Sequence, residues 1–158
     1  MIKSIFLLVL TRESIVKTCL QILNAKKHTE LIAIAPDKPV YEALVILAEY
    51  KIGALAVMDG DKLVGIFSER DYAREVVLQG RSSKTTLISE VMTAKLITGA
   101  PSDLVDATMR MMSDKRIRHL PVLEGEKVLG MLSLGDLVKE TIAYQQQLIS
   151  QLESYIKG

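Results

Sequence analysis

Hydrophobic and polar positions follow two periods along this chain, and the combined pattern occurs twice. From Val40 to Lys51, apolar side chains recur at steps of three and four residues, which predicts an amphipathic helix. Two apolar runs follow it, joined by Asp59-Gly60-Asp61, and an Asp-Gly pair favours the positive φ of a tight hairpin turn. The predicted elements are strand 31–34, helix 40–51, strand 53–58, strand 63–67 and helix 69–78.

The same β-α-β-β-α pattern returns 65 residues later without a gap. Pro36 matches Pro101 and Gly60 matches Gly125, and an ungapped register with such identities indicates a duplicated unit. The predicted elements of the second copy are strand 96–98, helix 102–115, strand 119–123, strand 128–132 and a final helix that starts near Leu134 and exceeds twenty residues.

The flanking segments complete the predicted organisation. Thr11 is a candidate N-cap for a helix over 11–24, and residues 88–92 suit one helical turn. The expected parts are an N-terminal segment with a helix (1–30), repeat one (31–79), a linker (80–94), repeat two (95–142) and a C-terminal helix extension (143–158). Each repeat alone has a marginal core, so we expect one α/β (α+β) module in which the two repeats pack together. The long final helix is expected to pack on a partner subunit or against 11–24.

Composition narrows the class of protein. The net charge is +1 over 158 residues, so no basic field argues for nucleic acid. Cys19 has no second cysteine to pair with, which favours a reducing compartment, and two histidines with one cysteine give no metal-ligand spacing. The apolar run 5–10 is too short to span a membrane, and Thr11-Arg12-Glu13 offers no cleavage site for a signal peptide. We expect a cytoplasmic protein without membrane association.

The candidate chemistry lies where each repeat ends in Ser-x-x-Asp, at Ser68 to Asp71 and at Ser133 to Asp136. One interpretation is helix capping, which stabilises by about 1 kcal/mol without any ligand. The other is a nucleotide site, because a carboxylate can accept both hydroxyls of a ribose and a helix N-terminus favours phosphate. The residues alone leave both interpretations open.

The motif set resembles a tandem pair of CBS domains, also called a Bateman module. It consists of Gly-h-h-Ser-x-x-Asp endings (h, hydrophobic), Leu-Pro-Val at 120–122, and the runs 68–74 and 116–122. Over about residues 14–145 the chain is similar to stand-alone two-CBS proteins. The resemblance implies two repeats about a pseudo-twofold axis, homodimerisation and regulation without catalysis. It also implies clefts for AMP, ADP or ATP, with NADH and S-adenosylmethionine as further candidates, and no required cofactor.

The resemblance further implies which residues form each cleft, with the Ser-x-x-Asp of one repeat facing the strand start of the other. Cleft A is expected to contain Ser68, Arg70, Asp71, Ile97, Arg118, His119 and Leu120. Cleft B is expected to contain Ile32, Gly53, Ala54, Leu55, Ser133 and Asp136. Because cleft A holds the basic residues, it is expected to take the more charged ligand.

Two function classes compete at this point. The first is an adenine-nucleotide sensor that acts in trans on a protein partner. The second is a structural dimerisation or interaction module whose clefts are vestigial. No nucleophile, acid/base pair or metal constellation in the sequence supports an enzyme.

Overall fold

The structure, a computed structural model, describes residues 17–26 and 30–158. The first element among these residues is α1, Cys19–Ala25, whose N-cap is Thr18. Thr18 is extended (φ −91°, ψ 159°), and its side chain accepts a hydrogen bond from the Gln21 amide. The prediction of one continuous helix over 11–24 is therefore wrong, because Thr18 caps a helix that begins at the next residue. The predictions for residues 1–10 and for Thr11 lie outside the described residues.

Repeat one contains the predicted order of elements. They are β1 (Ala33–Ile34), α2 (Val40–Tyr50), β2 (Ala54–Asp59), β3 (Lys62–Ser68) and α3 (Glu69–Asp71), which continues as a π-helix (Tyr72–Val77). The three strands form one sheet in the order β1-β2-β3, with β1 parallel to β2 and β2 antiparallel to β3. The closing helix predicted over 69–78 thus changes its hydrogen bonding, and the Leu78 amide reaches the Ala73 carbonyl five residues back at 3.0 Å.

Repeat two departs from repeat one at its first strand. The short helix α4 (Ile88–Val91) lies in the linker before it. The elements of repeat two are α5 (Val105–Lys115), β4 (His119–Glu124), β5 (Lys127–Ser133) and α6 (Leu134–Lys157). The sheet of repeat two contains β4 and β5, and residues 96–98 form no strand, so the strand predicted there is wrong; Gly99 makes an isolated bridge. Gly99 stands where repeat one has the buried Ile34, and the Leu120 side chain lies 2.8 Å from where a Gly99 Cβ would be. Glycine in a strand contributes no side-chain packing, and the repeat-two equivalent of β1 is reduced to this bridge.

The two central helices end in the same unusual way. Lys51 after α2 and Arg116 after α5 both adopt the left-handed conformation, with φ 53° and 55°. The residues are 65 positions apart, as are Gly60 and Gly125, whose positive φ confirms the predicted hairpin turns. The duplication therefore extends to backbone conformations that the side chains do not favour.

The chain forms two compact units that do not coincide with the linear repeats. Of the described residues, 17–26, 99–120 and 132–158 form unit 1, and 30–98 and 121–131 form unit 2. The core of unit 2 comprises Ile34, Val40, Ala43, Leu47, Leu55, Val57, Phe67, Val76, Ile88 and Val91. In unit 1, α6 packs against α5 and α1, and the buried side chains include Cys19, Ile22, Leu23, Val105, Met112, Leu120, Leu132 and Leu137. Packing of α6 on α1 confirms part of the expectation for the long helix.

Each repeat is completed by the segment that precedes the other repeat. In unit 2 the Ile88 amide donates to the Lys38 carbonyl at 2.9 Å, and the Val40 amide donates to the Thr86 carbonyl at 2.9 Å. In unit 1 the Cys19 amide donates to the Asp103 carbonyl at 2.8 Å in the equivalent place. The N-terminal segment therefore docks on repeat two, and the linker docks on repeat one. We call this arrangement the reciprocal docking.

Candidate functional site

The first Ser-x-x-Asp motif forms the junction between β3 and α3. The Ser68 hydroxyl accepts a hydrogen bond from the Asp71 amide at 3.2 Å. In return, Oδ2 of Asp71 accepts from the Ser68 amide at 2.9 Å and from the Ser68 hydroxyl at 3.0 Å. These contacts are a complete capping box, so the capping interpretation is confirmed for this motif.

The start of β2 lies directly beside this junction. The Glu69 amide donates to the Gly53 carbonyl at 3.0 Å, and Ala54 is the strand partner of Ser68. Unit 2 therefore brings Gly53 and Ala54 to the Ser-x-x-Asp of their own repeat. The residues next to Ser68 in this unit are therefore small.

The second motif forms the same junction between β5 and α6. The Ser133 hydroxyl accepts from the Asp136 amide at 3.1 Å, and Oδ2 of Asp136 accepts from the Ser133 amide at 2.8 Å. The Leu134 amide donates to the Arg118 carbonyl at 2.8 Å, so Arg118 and the first residue of β4, His119, lie at this junction. Capping is confirmed here too, and the strand start beside the cap carries basic residues instead of Gly53 and Ala54.

A third partner reaches each aspartate from outside its repeat. The Thr93 hydroxyl donates to Oδ1 of Asp71 at 3.0 Å, and the Lys26 ammonium lies 2.9 Å from Oδ2 of Asp136. Both residues belong to the segments of the reciprocal docking. Sequence reasoning missed them because hydrophobic periodicity carries no information about which loop meets which strand end.

The two aspartates differ in their electrostatics. Burial would raise the pKa of Asp136, but hydrogen bonds from the Ser133 amide and from Lys26, together with the Lys26 charge, hold that pKa below its ordinary value of 3.8. Asp71 has a neutral hydroxyl where Asp136 has an ammonium group. The unit 1 junction thus holds a carboxylate whose charge is balanced, beside the N-terminus of a 24-residue helix.

The remaining predicted site residues have different surroundings. Leu55 and Leu120 have no exposed surface, so in this structure they support the strands from inside. Ile32 packs against the core of unit 2, and Ile97 is half-buried. Arg70 is half-buried, whereas Arg118 is exposed. The pairing of each motif with the other repeat's strand start, which defines clefts A and B, stays a prediction.

Comparison with known proteins identifies the family. The family model described as CBS domain matches residues 25–78 and again residues 88–142. The chain belongs to the CBS-domain family. Its two matches confirm the duplication and the resemblance derived from the motifs.

Among curated proteins, the mitochondrial CBS domain-containing protein CBSX3 of Arabidopsis thaliana is 39% identical over 127 residues. The match covers 77% of this chain and 62% of that relative's length. A CBS-domain structure from Burkholderia ambifaria is 50% identical with a TM-score of 0.78, and the match covers 80% of this chain and 95% of that one. The fold is therefore that of a CBS pair.

A further solved structure is the CBS domain pair of protein MJ0100 in complex with 5'-methylthioadenosine and S-adenosylmethionine. It is 26% identical with a TM-score of 0.73, and the match covers 82% of this chain and 98% of that one. Within the described residues of our chain, no group of His, Cys, Asp and Glu is arranged to hold a metal ion. No helix among them is long and apolar enough to cross a membrane.

Proposed function

We propose that this CBS pair is a regulatory module that binds an adenine nucleotide and acts in trans on a protein partner. The observation that carries the proposal is the carboxylate at each strand-to-helix junction, in a fold whose relative MJ0100 is solved with two adenosine compounds. In this proposal Asp71 and Asp136 accept the ribose hydroxyls, and the module performs no chemistry of its own.

Capping and ribose binding are compatible because a carboxylate offers about four acceptor positions. The bonds described for Asp136 converge on Oδ2, so Oδ1 can accept from a ribose without loss of the cap. Asp71 already accepts the Thr93 hydroxyl on Oδ1 as well as two bonds on Oδ2. A ribose at Asp71 therefore competes with Thr93, and we propose that the Asp136 junction binds more tightly.

The nature of the ligand follows from charge. Besides Lys26, whose charge Asp136 balances, Arg118 just before β4 and the N-terminus of α6 lie in the same unit as Asp136. Positive groups near a ribose site favour a ligand with phosphate groups over a neutral adenosine. We propose AMP, ADP or ATP as the ligand class, with NADH and S-adenosylmethionine as the compounds to test beside them. Ligand binding can regulate a partner only through a difference in affinity between two shapes of the module.

The test is thermal unfolding of the chain with each of these five compounds, for the wild type and for Asp71→Ala and Asp136→Ala. At a concentration one hundredfold above Kd, a bound ligand adds about 2.7 kcal/mol to the free energy of unfolding. We expect a nucleotide to raise the Tm of the wild type and Asp136→Ala to abolish most of that rise.

Asp103→Ala is the matched control, since Asp103 accepts the Ala100 amide at 2.8 Å in unit 1 but lies outside both junctions. It should lower the Tm and leave the ligand-induced rise intact. If no compound shifts the Tm of the wild type, or if all three variants lose the rise equally, the nucleotide proposal fails.

The alternative function is a structural interaction module with vestigial clefts. The complete capping boxes favour it, because they account for both Ser-x-x-Asp motifs without a ligand. In that case each Asp→Ala change lowers stability by about 1 kcal/mol, and no nucleotide alters the Tm.

A further inference from the structure

Two lysines connect the docked N-terminal segment, residues 17–26, to the first turns of α6. Lys17 pairs with Glu140, and Lys26 pairs with Asp136 at 2.9 Å. Glu140 and Asp136 are four residues apart, so they lie on one face of α6. The two ion pairs therefore hold the segment on both sides of α1, and the pair at Asp136 uses the carboxylate that the nucleotide proposal assigns to a ribose.

The carboxylate oxygen that Lys26 contacts is fully used as an acceptor. A carboxylate accepts about four hydrogen bonds, or about two on each oxygen. Oδ2 of Asp136 accepts one from the Ser133 amide at 2.8 Å and one from the Lys26 ammonium at 2.9 Å. These two bonds account for the positions on Oδ2, whereas the bonds described for Asp136 leave the positions on Oδ1 to a ligand.

A ribose that binds through two hydroxyls needs both carboxylate oxygens. When two adjacent hydroxyls bind one carboxylate side by side, each of them donates to a different oxygen. One hydroxyl can donate to Oδ1, but the other requires a position on Oδ2 that the Ser133 amide or the Lys26 ammonium holds. The Ser133 amide is backbone and belongs to the cap of α6, so it stays in place. Lys26 has a flexible side chain that is 32% exposed, so its ammonium is the donor that leaves.

The strength of the Lys26 contact permits this exchange. The side chain of Asp136 is 25% exposed and that of Lys26 is 32% exposed, so water screens the pair. An ion pair of such exposure changes an equilibrium constant by about fivefold or less. Displacement of Lys26 by a ribose therefore lowers the affinity for the ligand without preventing binding.

We propose that Lys26 competes with the ribose for Asp136, so that a bound nucleotide detaches the Lys26 end of the docked segment from α6. The inference rests on the nucleotide function proposed above and adds a regulatory step to the same site. The other end of the segment stays docked, because the Cys19 amide keeps its bond to the Asp103 carbonyl at 2.8 Å. Ligand binding therefore changes the surface at one end of α1, which a protein partner can recognise.

The first experiment is isothermal titration calorimetry of the full chain with adenosine. Adenosine has the ribose but no phosphate, so the charge of Lys26 acts on this ligand through Asp136. We expect Lys26→Met to lower the Kd for adenosine by about two- to fivefold, because a position on Oδ2 is then open. The matched control is Lys17→Met, which removes the same charge and the other ion pair of the segment but leaves the bonds of Asp136 unchanged. It should leave the Kd for adenosine unchanged.

The same three proteins are titrated with AMP, after circular dichroism has established that both variants are folded. If AMP binds the wild type but the affinity for adenosine does not rise in Lys26→Met, or rises equally in Lys17→Met, the competition is wrong and the nucleotide function stands. If neither compound binds any of the three proteins, both proposals fail. Binding to Lys26→Met without measurable binding to the wild type supports the competition, because the lysine then prevents access to the carboxylate.

Hydrogen exchange followed by NMR tests the detachment. The Lys26 amide donates to the Leu23 carbonyl at 3.2 Å, at the end of α1 that lies beside Asp136. A saturating concentration of AMP should speed exchange of this amide relative to that of the Cys19 amide, whereas a ligand that only stabilises the fold slows exchange or leaves it unchanged. In Lys26→Met, AMP should cause no such increase. Exchange at the Lys26 amide of the wild type that is equal or slower with AMP overturns the detachment.

Discussion

A single carboxylate at each junction serves several partners, and the identity of the third partner separates the two sites. Asp136 is paired with a lysine and Asp71 with a threonine, although their capping boxes match. Capping therefore explains why both repeats keep serine and aspartate, and the third partner explains how the sites can differ. The difference has a measurable consequence in acid.

Acid should weaken the protein through Asp136. Its pKa is lowered in the folded state, so the stabilisation is complete above the ordinary value of 3.8 and is lost as the pH falls through the lower folded-state value. Lys26→Met should reduce the free energy of unfolding at pH 7. The decrease in that free energy between pH 7 and about pH 3 should also be smaller in this variant than in the wild type. Urea unfolding at both pH values measures this change.

The control for this prediction is Lys127→Met, which removes an exposed lysine from β5 in unit 2. It should leave the slope between the two pH values unchanged. An equal flattening in both lysine variants would mean that overall charge, rather than the Lys26 contact, sets the acid sensitivity.

At the scale of elements, sequence reasoning recovered most of the helices and strands because each has a clear period. Helix α2 follows from side-chain spacing, the first hairpin turn from its Asp-Gly pair, and the second from the duplicated position of Gly125. The strand predicted at 96–98 is reduced to an isolated bridge at Gly99, which stands where repeat one buries Ile34 and where the Leu120 side chain leaves no room for a Cβ. The helix predicted over 11–24 is not continuous through Thr18, because threonine is a good N-cap and side-chain spacing alone does not mark it as one.

The candidate site was predictable only in its local part. Ser68, Asp71, Ser133 and Asp136 occupy the expected junctions because a strand end followed by a capped helix is a local pattern. The contacts of Thr93 and Lys26 depend on long-range docking, which the periodicity of a single chain does not encode. Duplication located the motifs, and tertiary structure determined their neighbours.

The left-handed end of α2 gives a prediction at this scale. Lys51 has φ 53°, a conformation that costs a residue with a side chain about 1 kcal/mol relative to glycine. Lys51→Gly should therefore raise the free energy of unfolding by about 0.5–1 kcal/mol. Glu49→Gly, in the exposed part of the same helix, should instead lower it by about 1 kcal/mol. Guanidinium unfolding compares the two, and a loss of stability in both would show that the Lys51 side chain contributes more than its backbone costs.

At the scale of the whole molecule, the reciprocal docking means that each compact unit contains chain from two distant parts of the sequence. Ile88 in the linker is fully buried in the core of unit 2, and Cys19 is fully buried in unit 1. Burial raises the pKa of the Cys19 thiol, which also contacts the Thr108 hydroxyl at 3.3 Å. The two residues occupy equivalent places in the docking, so each should stabilise the repeat that it does not belong to.

Hydrogen exchange can test whether each docked segment stabilises the repeat on which it docks. Ile88→Ala should cost about 2–5 kcal/mol and speed exchange at the Val40 amide, which donates to the Thr86 carbonyl. The Val105 amide, which donates to the Lys17 carbonyl in unit 1, should be less affected. Cys19→Ala should show the reverse pattern. Exchange that rises equally at both amides in both variants would mean that the units open together and that docking is not local.

The reciprocal docking also fixes an order of events during synthesis. The Leu20 amide in α1 donates to the Pro101 carbonyl. The ribosome must therefore add about 80 residues after α1 before this carbonyl exists, which takes roughly 4–16 s. The α6 helix that packs on α1 is made later still. Throughout this interval Ile22 and Leu23, buried in the finished protein, have no docking site of their own. The apolar side chains of α1 therefore stay exposed on the nascent chain until α6 has been synthesised. This is the interval in which chaperones would bind the chain.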